Sequence, residues 1–452
     1  MTMTLSRELV RLLCGLAKSG IPPKVTAKTR LHIADAIGIG LAAWRGSTLA
    51  QQVTTALGSG VNAASCGVLG SRQSMPPANA AFANSALVHM LDYDDIHDAA
   101  RLHPSAVTLP AALAATGLMD ASERTLVDAV TLGNELMCRM GSMYLPTGEG
   151  PGSDWFLTQL FGYFGAALTC ALVLGMSEDE IVSALGLAYM QAAGGKEAGF
   201  GVGSTARGIY PAFAAMGGVQ AALLARAGVA GPASALDGAA GLFRIYLGAE
   251  ADDAKLQTLL DAHSWFFLDT EVKPWPSCRL SNPYVAAALA VRVQLARAPV
   301  RAISVAVNAS AAKLCRPLAA RRRPETLQDG KYSIPFMIAF TLVRGKVDLE
   351  TLNSEALDDT AVLALAERVT IVESLPDKPG HPAAEITVET ASASFHSPKN
   401  LDLQLPPAGV REKFLSCLRY AGASGAEALW DRLQQPGTGN AAELLRAIPN
   451  VQ

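Results

Sequence analysis

The chain has 452 residues, more than one ordinary hydrophobic core accommodates, so its length favours two or three domains. Half of the residues are hydrophobic and only 17% are charged, which excludes a disordered chain. The net charge of -3 shows no basic excess, so the composition argues against a protein that binds nucleic acid or an anionic membrane.

The first part of the chain is rich in alanine and glycine, and its apolar pattern predicts helices. Leucines recur at helical spacing from Leu5 to Leu16, and the sequence Gly20-Ile21-Pro22-Pro23 ends that helix. Further helices are predicted over residues 25–43, 104–119, 126–140, 162–174, 179–193 and 213–227. We therefore expect an all-α body that extends from the N-terminus to residue 268.

Alternating hydrophobic residues then replace the helical pattern. The alternating sets, which predict strands with one buried face, are Ile303/Val305/Val307, Val369/Ile371 and Ile386/Val388. A helix over 335–343 is predicted between them, which gives a smaller α+β domain over residues 269–405. Helices over 410–418 and 441–447 are expected to return to the large body. The predicted fold is thus mainly α, with an all-helical domain of residues 1–268 and 406–452.

The seven cysteines are scattered singly and form no CxxC pair, which is typical of a reducing compartment. The N-terminal sequence MTMTLSRELVRLL carries charge inside its apolar stretch and has no signal-peptide core. No apolar run is long enough to span a bilayer. We expect a soluble, cytoplasmic protein with no membrane partner.

One segment holds the densest group of polar side chains. It reads His89-Met-Leu-Asp92-Tyr93-Asp94-Asp95-Ile96-His97 and is followed by Arg101 and His103-Pro104-Ser105. Three interpretations compete. Crowded carboxylates and imidazoles shift each other's pKa values and can act as acid and base. The same side chains could bind a divalent metal, although the spacing matches neither HExxH nor an EF-hand loop. They could also serve only to cap helices.

Two further segments are candidates for ligand binding. In Lys273-Pro-Trp-Pro-Ser-Cys278-Arg279 the prolines hold the backbone extended, so the cations could hold carboxylates in a cleft between domains, or the segment is a plain hinge. The glycine-rich segment from Gly194 to Ser204 contains Lys196 and follows a predicted helix. It fits neither a P-loop nor a dinucleotide fingerprint, so we predict a flexible loop whose amides could bind an anion.

These segments resemble the MmgE/PrpD family, which includes 2-methylcitrate dehydratase, cis-aconitate decarboxylase and iminodisuccinate epimerase. The matching segments are 80–84, 89–97, 103–105, 110–114, Ile21-Pro22 with Asp35, Gly133-Asn134-Glu135, Phe164-Gly-Ala-Ala167, Lys273–Cys278 and Tyr332-Ser-Ile-Pro-Phe336. The resemblance runs over nearly the whole chain, and the segment from Asp92 to Ser105 is its most specific part.

The resemblance implies a large helical domain, a smaller α+β lid domain and a homodimer. It also implies catalysis without a metal or an organic cofactor, in a site between the two domains. Asp92 and His103 match the acidic and imidazole positions of that site, and Lys273 with Cys278 matches the contribution of the lid.

The sequence departs from the family pattern at four positions. Phe156 and Asn282 stand where histidines are common, Arg207 where a lysine is common, and Ile96 where a threonine is common. Because arginine is always protonated, Arg207 can hold a carboxylate but cannot act as a base. Two missing imidazoles remove two candidate acids for expelling a hydroxyl group, which makes dehydration harder and an epimerase role more plausible.

We predict a lyase, either a dehydratase or a decarboxylase, that transfers a proton next to a carboxylate of a small di- or tricarboxylic acid. The catalytic candidates are His103 as the proton-transfer residue, Asp92 to orient it or act as base, and Tyr210 or Tyr163 as a further donor. Arg207, Lys273 and Arg279 are predicted to bind substrate carboxylates, with Cys278 and Asp95 also in contact with substrate.

Three alternatives remain open from the sequence. The first is a cofactor-independent epimerase of a dicarboxylic amino or imino acid within the same family. The second is a metal-dependent hydrolase that uses the His/Asp cluster. The third is a relative that binds a ligand without catalysis, as the substitutions at Phe156, Arg207 and Asn282 would allow.

Overall fold

The computed structural model describes residues 4–58, 66–143, 154–199, 204–248, 253–296, 298–376, 383–399, 401–435 and 439–451. The helices are α1 (Leu5–Ser19), α2 (Pro23–Gly46), α3 (Leu49–Gly58), α4 (Pro77–His89), α5 (Ser105–Thr116), α6 (Glu123–Met143), α7 (Leu157–Val173), α8 (Glu178–Tyr189), α9 (Tyr210–Arg226), α10 (Leu242–Leu247), α11 (Asp253–Leu259), α12 (Asn282–Leu295), α13 (Ala309–Ala312), α14 (Leu318–Arg322), α15 (Leu327–Lys331), α16 (Ile334–Arg344), α17 (Thr360–Ala366), α18 (Pro407–Ala421), α19 (Ala426–Gln434) and α20 (Ala441–Ala447). The strands are β1 (Cys66–Gly67), β2 (Ser74–Met75), β3 (Ile96–His97), β4 (Thr270–Glu271), β5 (Ala302–Val307), β6 (Val369–Glu373), β7 (Glu385–Glu389) and β8 (Ser394–His396).

The helices predicted from hydrophobic periodicity are all present, which confirms a mainly α fold. Their ends differ by a few residues. The helix predicted to reach residue 193 ends at Tyr189, because residues 194–196 form hydrogen bonds with residues 154–156 instead. Helices α3, α4 and α12 were not predicted. In α4 every residue from Ala80 to His89 is buried, so the segment shows no alternation of apolar and polar faces.

The four-stranded sheet of the smaller part has the order β6-β5-β7-β8. Strand β5 runs parallel to β6 and antiparallel to β7. Ile303, Val305 and Val307 are buried on one face of β5, as the alternation predicted.

Two separate groups of core residues lie in the molecule. One large core is formed by helices of the N-terminal part together with α18, α19 and α20, and we call it the helical body. Two smaller cores are built from residues between 284 and 388, which form the α+β part. Residues of α18, α19 and α20 thus share the core of the helical body. There the Lys413 ammonium of α18 lies 2.8 Å from the Asp35 carboxylate of α2, and both side chains are buried.

A short strand pair brings the polar segment to the Lys273 segment. Strand β3 pairs antiparallel with β4, with Ile96 opposite Glu271 and His97 opposite Thr270. Residues that lie about 175 positions apart in the sequence thereby become neighbours, and the chain between 273 and 279 leads away from this contact into the α+β part.

Two expectations from composition can be compared with the structure. All seven cysteine thiols are free. In the part of the chain that the structure describes, no helix has both the length and the apolar character required to cross a bilayer.

We expect Lys413→Met to lower the free energy of unfolding by about 3 kcal/mol, because it leaves the Asp35 carboxylate buried without its counter-charge. Urea denaturation followed by circular dichroism measures the change. Lys24→Met, which removes an exposed lysine of α2, is the matched control and should stay within about 0.5 kcal/mol of the wild type. Equal stabilities for the two variants would contradict the structural role of the buried pair.

Candidate active site

The loop between α4 and α5, residues 90–104, carries the polar cluster. His89 is the last residue of α4, and the backbone N–H of Asp92 donates to its carbonyl group at 2.9 Å. Asp92 has a φ of 55°, which is a left-handed conformation that aspartate accepts more readily than most residues. The chain turns sharply here, so carboxylates only two positions apart contact different groups.

Three buried lysines hold this turn. Each donates a hydrogen bond to one of three consecutive backbone carbonyls: Lys331 to Leu91 (2.9 Å), Lys273 to Asp92 (3.0 Å) and Lys413 to Tyr93 (2.6 Å). The lysines come from α15, from the segment after β4 and from α18. The loop is therefore fixed by three segments that are far apart in the sequence.

Asp94 is the centre of the charged groups. Its Oδ2 lies 2.7 Å from Nδ1 of His89 and 3.4 Å from Nδ1 of His103, and its Oδ1 lies 3.7 Å from the Lys273 ammonium. Burial alone would raise the pKa of Asp94. The neighbouring imidazoles and the ammonium outweigh burial and hold that pKa well below its ordinary value. Asp94 is therefore ionised at neutral pH.

His103 is positioned as a neutral imidazole. Its Nδ1 lies 2.5 Å from the backbone carbonyl of Asp95, and its backbone N–H donates to Thr158 Oγ1 at 3.0 Å. Burial lowers the pKa of His103 to about 4, although Asp94 opposes that shift. Because Nδ1 faces a carbonyl that can only accept, the proton of the neutral ring belongs on Nδ1. Nε2 is then free to accept a proton.

His89 is a second imidazole in the same group. Its Nδ1 faces Asp94, while its Nε2 is buried and has no hydrogen-bond partner among the described residues. The ring packs edge-on against His103 at 5.1 Å and against Tyr210 at 4.8 Å between ring centres. A buried nitrogen without a partner is costly, and this one points to a ligand that is bound during function.

Asp92 lies in a different environment and forms no hydrogen bond with His103 among the described residues, so its predicted role, as the residue that orients His103 or as a base itself, stays a prediction. The Asp92 carboxylate accepts hydrogen bonds from the Tyr332 hydroxyl and from Gln328 Nε2, the latter at 2.6 Å. The Arg207 guanidinium lies 3.3 Å above the Tyr332 ring, and its buried Nε has no partner among the described residues. The carboxylate beside His103 is Asp94, because the left-handed turn at Asp92 separates the two acids.

His89, Asp94 and His103 also have the geometry of a possible metal site, since one donor atom of each lies within 4.8 Å of the others. The Lys273 ammonium already supplies a positive charge 3.7 Å from the Asp94 carboxylate. A divalent ion at this position would be repelled by it. The donor set therefore fits a shared proton better than a metal ion, and a metal-free site stays our prediction.

Comparison with known proteins identifies the chain at this point. Residues 7–254 match the MmgE/PrpD N-terminal domain and residues 275–428 match the MmgE/PrpD C-terminal domain. The chain belongs to the MmgE/PrpD family. A cis-aconitate decarboxylase-like protein, oryM, of Aspergillus oryzae is 29% identical over 440 residues, which cover 90% of this chain and 89% of that protein.

Other relatives match shorter stretches. Cis-aconitate decarboxylase of Aspergillus terreus is 29% identical over 233 residues, or 49% of this chain and 45% of that protein. Cis-aconitate decarboxylase of Mus musculus is 27% identical over 318 residues, or 68% of this chain and 62% of that protein.

The positions at which the sequence departs from the MmgE/PrpD pattern lie around the same site. Phe156 stacks on Tyr210 with 4.0 Å between ring centres, and the Tyr210 hydroxyl donates to Thr158 at 3.3 Å. Asn282 donates to Ser277 Oγ at 2.9 Å, and its buried Oδ1 has no partner among the described residues. An apolar ring thus occupies one position where an imidazole was expected.

Two predicted substrate ligands are engaged with protein groups. Arg279 forms a two-pronged ion pair with Asp98, with N–O distances of 2.8 and 2.7 Å. Asp95 pairs with His32 at 2.8 Å and accepts the backbone N–H of Ser105 at 3.3 Å, at the start of α5. Neither arrangement tests the predicted contact with substrate, which stays a prediction for both residues.

The remaining predicted ligands lie closer to the Asp94 group. Lys273 contacts both Asp94 and the loop carbonyl of Asp92. Cys278 donates its backbone N–H to the Lys331 carbonyl at 3.2 Å. Burial raises the pKa of its thiol, which the Arg207 charge lowers in part. A protonated thiol is a weak nucleophile, so Cys278 is better suited to shape the site than to attack a substrate.

His89, Asp94, Gln328 and Tyr332 were not among the site residues predicted from the sequence. His89 and Asp94 nevertheless lie in the polar segment, and Tyr332 lies in a motif of the smaller domain. The Tyr332-Ser-Ile-Pro-Phe336 motif was a usable signal, because a tyrosine in a family motif of the smaller domain is a natural partner for a buried acid. Gln328 stands in no motif and offered no such signal.

We expect binding of a polycarboxylate to be accompanied by proton uptake. His103 is neutral at pH 7 because its pKa is about 4, and negative charge placed beside it raises that pKa. Calorimetric titration with propane-1,2,3-tricarboxylate at pH 7, in buffers of different ionisation enthalpy, should give uptake of up to about one proton. His103→Gln should abolish the uptake, whereas His263→Gln, at an exposed histidine, should keep it. Identical uptake in the His103→Gln variant would show that another group takes up the proton.

Proposed function

We propose that this protein is a lyase that removes a carboxyl group from a small unsaturated di- or tricarboxylic acid. The observation that carries the proposal is the neutral His103, held by Asp94 and the Asp95 carbonyl beside the Lys273 ammonium. Decarboxylation needs cations that hold carboxylates and an acid that delivers one proton to carbon. The names of the relatives favour the same reaction.

The proposed reaction starts when cationic side chains bind the substrate carboxylates. Lys273 and Arg207 are the cations that serve this purpose, and Lys273 is buried, where an ionic contact is worth more than in water. The negative charge of the bound acid raises the pKa of His103, which takes up a proton on Nε2 while its Nδ1 proton stays on the Asp95 carbonyl.

The bond between the departing carboxylate and its carbon then breaks, and carbon dioxide leaves. The electron pair of that bond stays on carbon, where the neighbouring unsaturated carboxylate spreads the charge. Lys273 stabilises this charge as it develops. His103 transfers the proton on Nε2 to the carbon, which restores the neutral imidazole and balances the reaction.

The environment of Phe156 favours loss of carbon dioxide over loss of water. Dehydration needs an acid at the departing hydroxyl group, and the Phe156 ring, stacked on Tyr210, supplies none at that position. Carbon dioxide is neutral and apolar, so it needs no proton and leaves readily past aromatic rings. The substitution that weakens a dehydratase mechanism is therefore compatible with a decarboxylase.

The direct test is incubation with cis-aconitate, the acid in the relatives' names, in D2O. We expect one carbon dioxide for each molecule of acid consumed and one deuterium on carbon in the product. His103→Gln should lower kcat at least about 100-fold, while the exposed-histidine control His263→Gln should leave it unchanged. Deuterium in recovered cis-aconitate without carbon dioxide would instead indicate proton exchange at carbon without decarboxylation, and addition of water to give a hydroxy acid would indicate a dehydratase acting in reverse; either result would overturn the proposal.

A second test separates the two acids. Asp94→Asn removes the charge that raises the pKa of His103, so we expect kcat to fall about 100-fold and proton uptake on tricarboxylate binding to decrease. Asp92→Asn changes the contact with Tyr332 and Gln328 and should retain the uptake. If proton uptake on tricarboxylate binding is lost only in the Asp92→Asn variant, Asp92 and not Asp94 is the residue that orients His103.

A further inference from the structure

The backbone of Lys196 is fixed beside the segment that carries Phe156, whose ring stacks on Tyr210. The backbone N–H of Phe156 donates to the Gly194 carbonyl at 2.7 Å, and the N–H of Lys196 donates to the Asp154 carbonyl at 2.7 Å. Trp155 and Gly195 form an antiparallel bridge between the two bonds. The glycine-rich segment is therefore anchored up to Lys196; of its later part, residues 200–203 lie outside the described residues.

The side chains of Lys196 and Phe156 pack against the same glycine. A methyl group on Gly199 would come within 2.9 Å of Lys196 Cγ and within 3.0 Å of Phe156 Cζ, so both side chains pack against this glycine. Phe156 in turn stacks on Tyr210, whose ring contacts His89 at 4.8 Å between ring centres. A series of packed side chains thus leads from Lys196 through Phe156 and Tyr210 to His89.

The ammonium of Lys196 has cations as its main charged neighbours. Burial, with smaller contributions from the charges of Arg207, Lys313 and Arg101, lowers the pKa of Lys196 to about 8. Among the described residues, the Lys196 side chain has no hydrogen-bond or ion-pair partner. Among these cations, Arg207 has the largest effect on the pKa of Lys196. Its buried Nε also has no hydrogen-bond partner among the described residues. The approach of like charges is unfavourable unless an anion balances them.

We propose that Lys196 and Arg207 together form a carboxylate subsite, and that this subsite selects acids with three carboxylates over acids with two. The assignment rests on the proposed function for the Lys273 and His103 half of the site. Lys273, which contacts Asp94, is the cation assigned to the carboxylate next to the reacting carbon. Arg207 lies above the Tyr332 ring and is assigned to a different carboxylate. Lys196 adds the cation that a third carboxylate requires.

Binding rather than proton transfer is the role that this position supports. A lysine with a lowered pKa can serve as a base when it reaches the reacting atom. Lys196 has no hydrogen bond or ion pair with His89, Asp94 or His103 among the described residues, and the contacts from Lys196 to His89 pass through Phe156 and Tyr210. We therefore assign its ammonium to a carboxylate remote from the carbon that His103 protonates. The effect of Lys196 should therefore fall on affinity and KM and leave kcat nearly unchanged.

The test compares two non-reacting acids, propane-1,2,3-tricarboxylate and glutarate, by calorimetric titration of the full chain. We expect Lys196→Met to weaken tricarboxylate binding at least about tenfold and glutarate binding less than about twofold. Lys196→Arg should keep most of the preference, because it keeps the charge. Lys24→Met, at an exposed lysine of the helical body, should leave both affinities unchanged.

Equal weakening of both acids, or no weakening of either, would overturn the subsite. Lys196 makes no side-chain hydrogen bond among the described residues, so the variant should fold, and its thermal unfolding midpoint checks this. Both measurements use acids that do not react. If cis-aconitate is not turned over but the preference for the tricarboxylate depends on Lys196, the proposed reaction fails and the subsite stands. If cis-aconitate is turned over but the preference does not depend on Lys196, the proposed reaction stands and the subsite fails.

Discussion

Three lysine ammonium groups bonded to the carbonyls of residues 91, 92 and 93 are the constraint on which the site depends. Burial of an ammonium group is costly unless it is paired and hydrogen-bonded. Here Asp35 and Asp94 provide the charges for Lys413 and Lys273. Burial lowers the pKa of Lys331 to about 8, while the charge of Asp92 opposes that shift. The turn is thus a dense set of paired charges.

This arrangement connects the two parts of the molecule. Lys413 belongs to a helix of the helical body, whereas Lys331 belongs to the α+β part, and both hold the same short turn. Tyr332 and Gln328 reach Asp92 from the α+β part as well. Backbone carbonyls do not titrate, so the acceptors of these three hydrogen bonds are the same whether or not His103 is protonated. Preorganisation of this kind is what the proposed proton transfer requires.

Much of the architecture follows from sequence periodicity, because the amphipathic helices and the alternating strands bury one face each. Helix α4 escaped prediction, since it is buried on every side. The identity of the acid beside His103 also escaped it, because the spacing of Asp92 and Asp94 does not reveal the left-handed turn at Asp92. Nor does a sequence mark Lys331 and Lys413 as buried, since lysine is usually exposed. Clusters of charge can be read from a sequence, but their pairing depends on contacts between distant segments.

Phe156 bears on the charges of the site because it stands where the resemblance to the MmgE/PrpD family predicts a histidine. Its ring stacks on Tyr210, which packs against His89, and both Phe156 and Lys196 pack against Gly199. The contacts that lead from Lys196 to His89 therefore pass through two rings that carry no charge at neutral pH, since burial raises the pKa of the Tyr210 hydroxyl. A histidine at position 156 would add a titratable group to this series of contacts, so the protein would have a further proton donor close to Lys196.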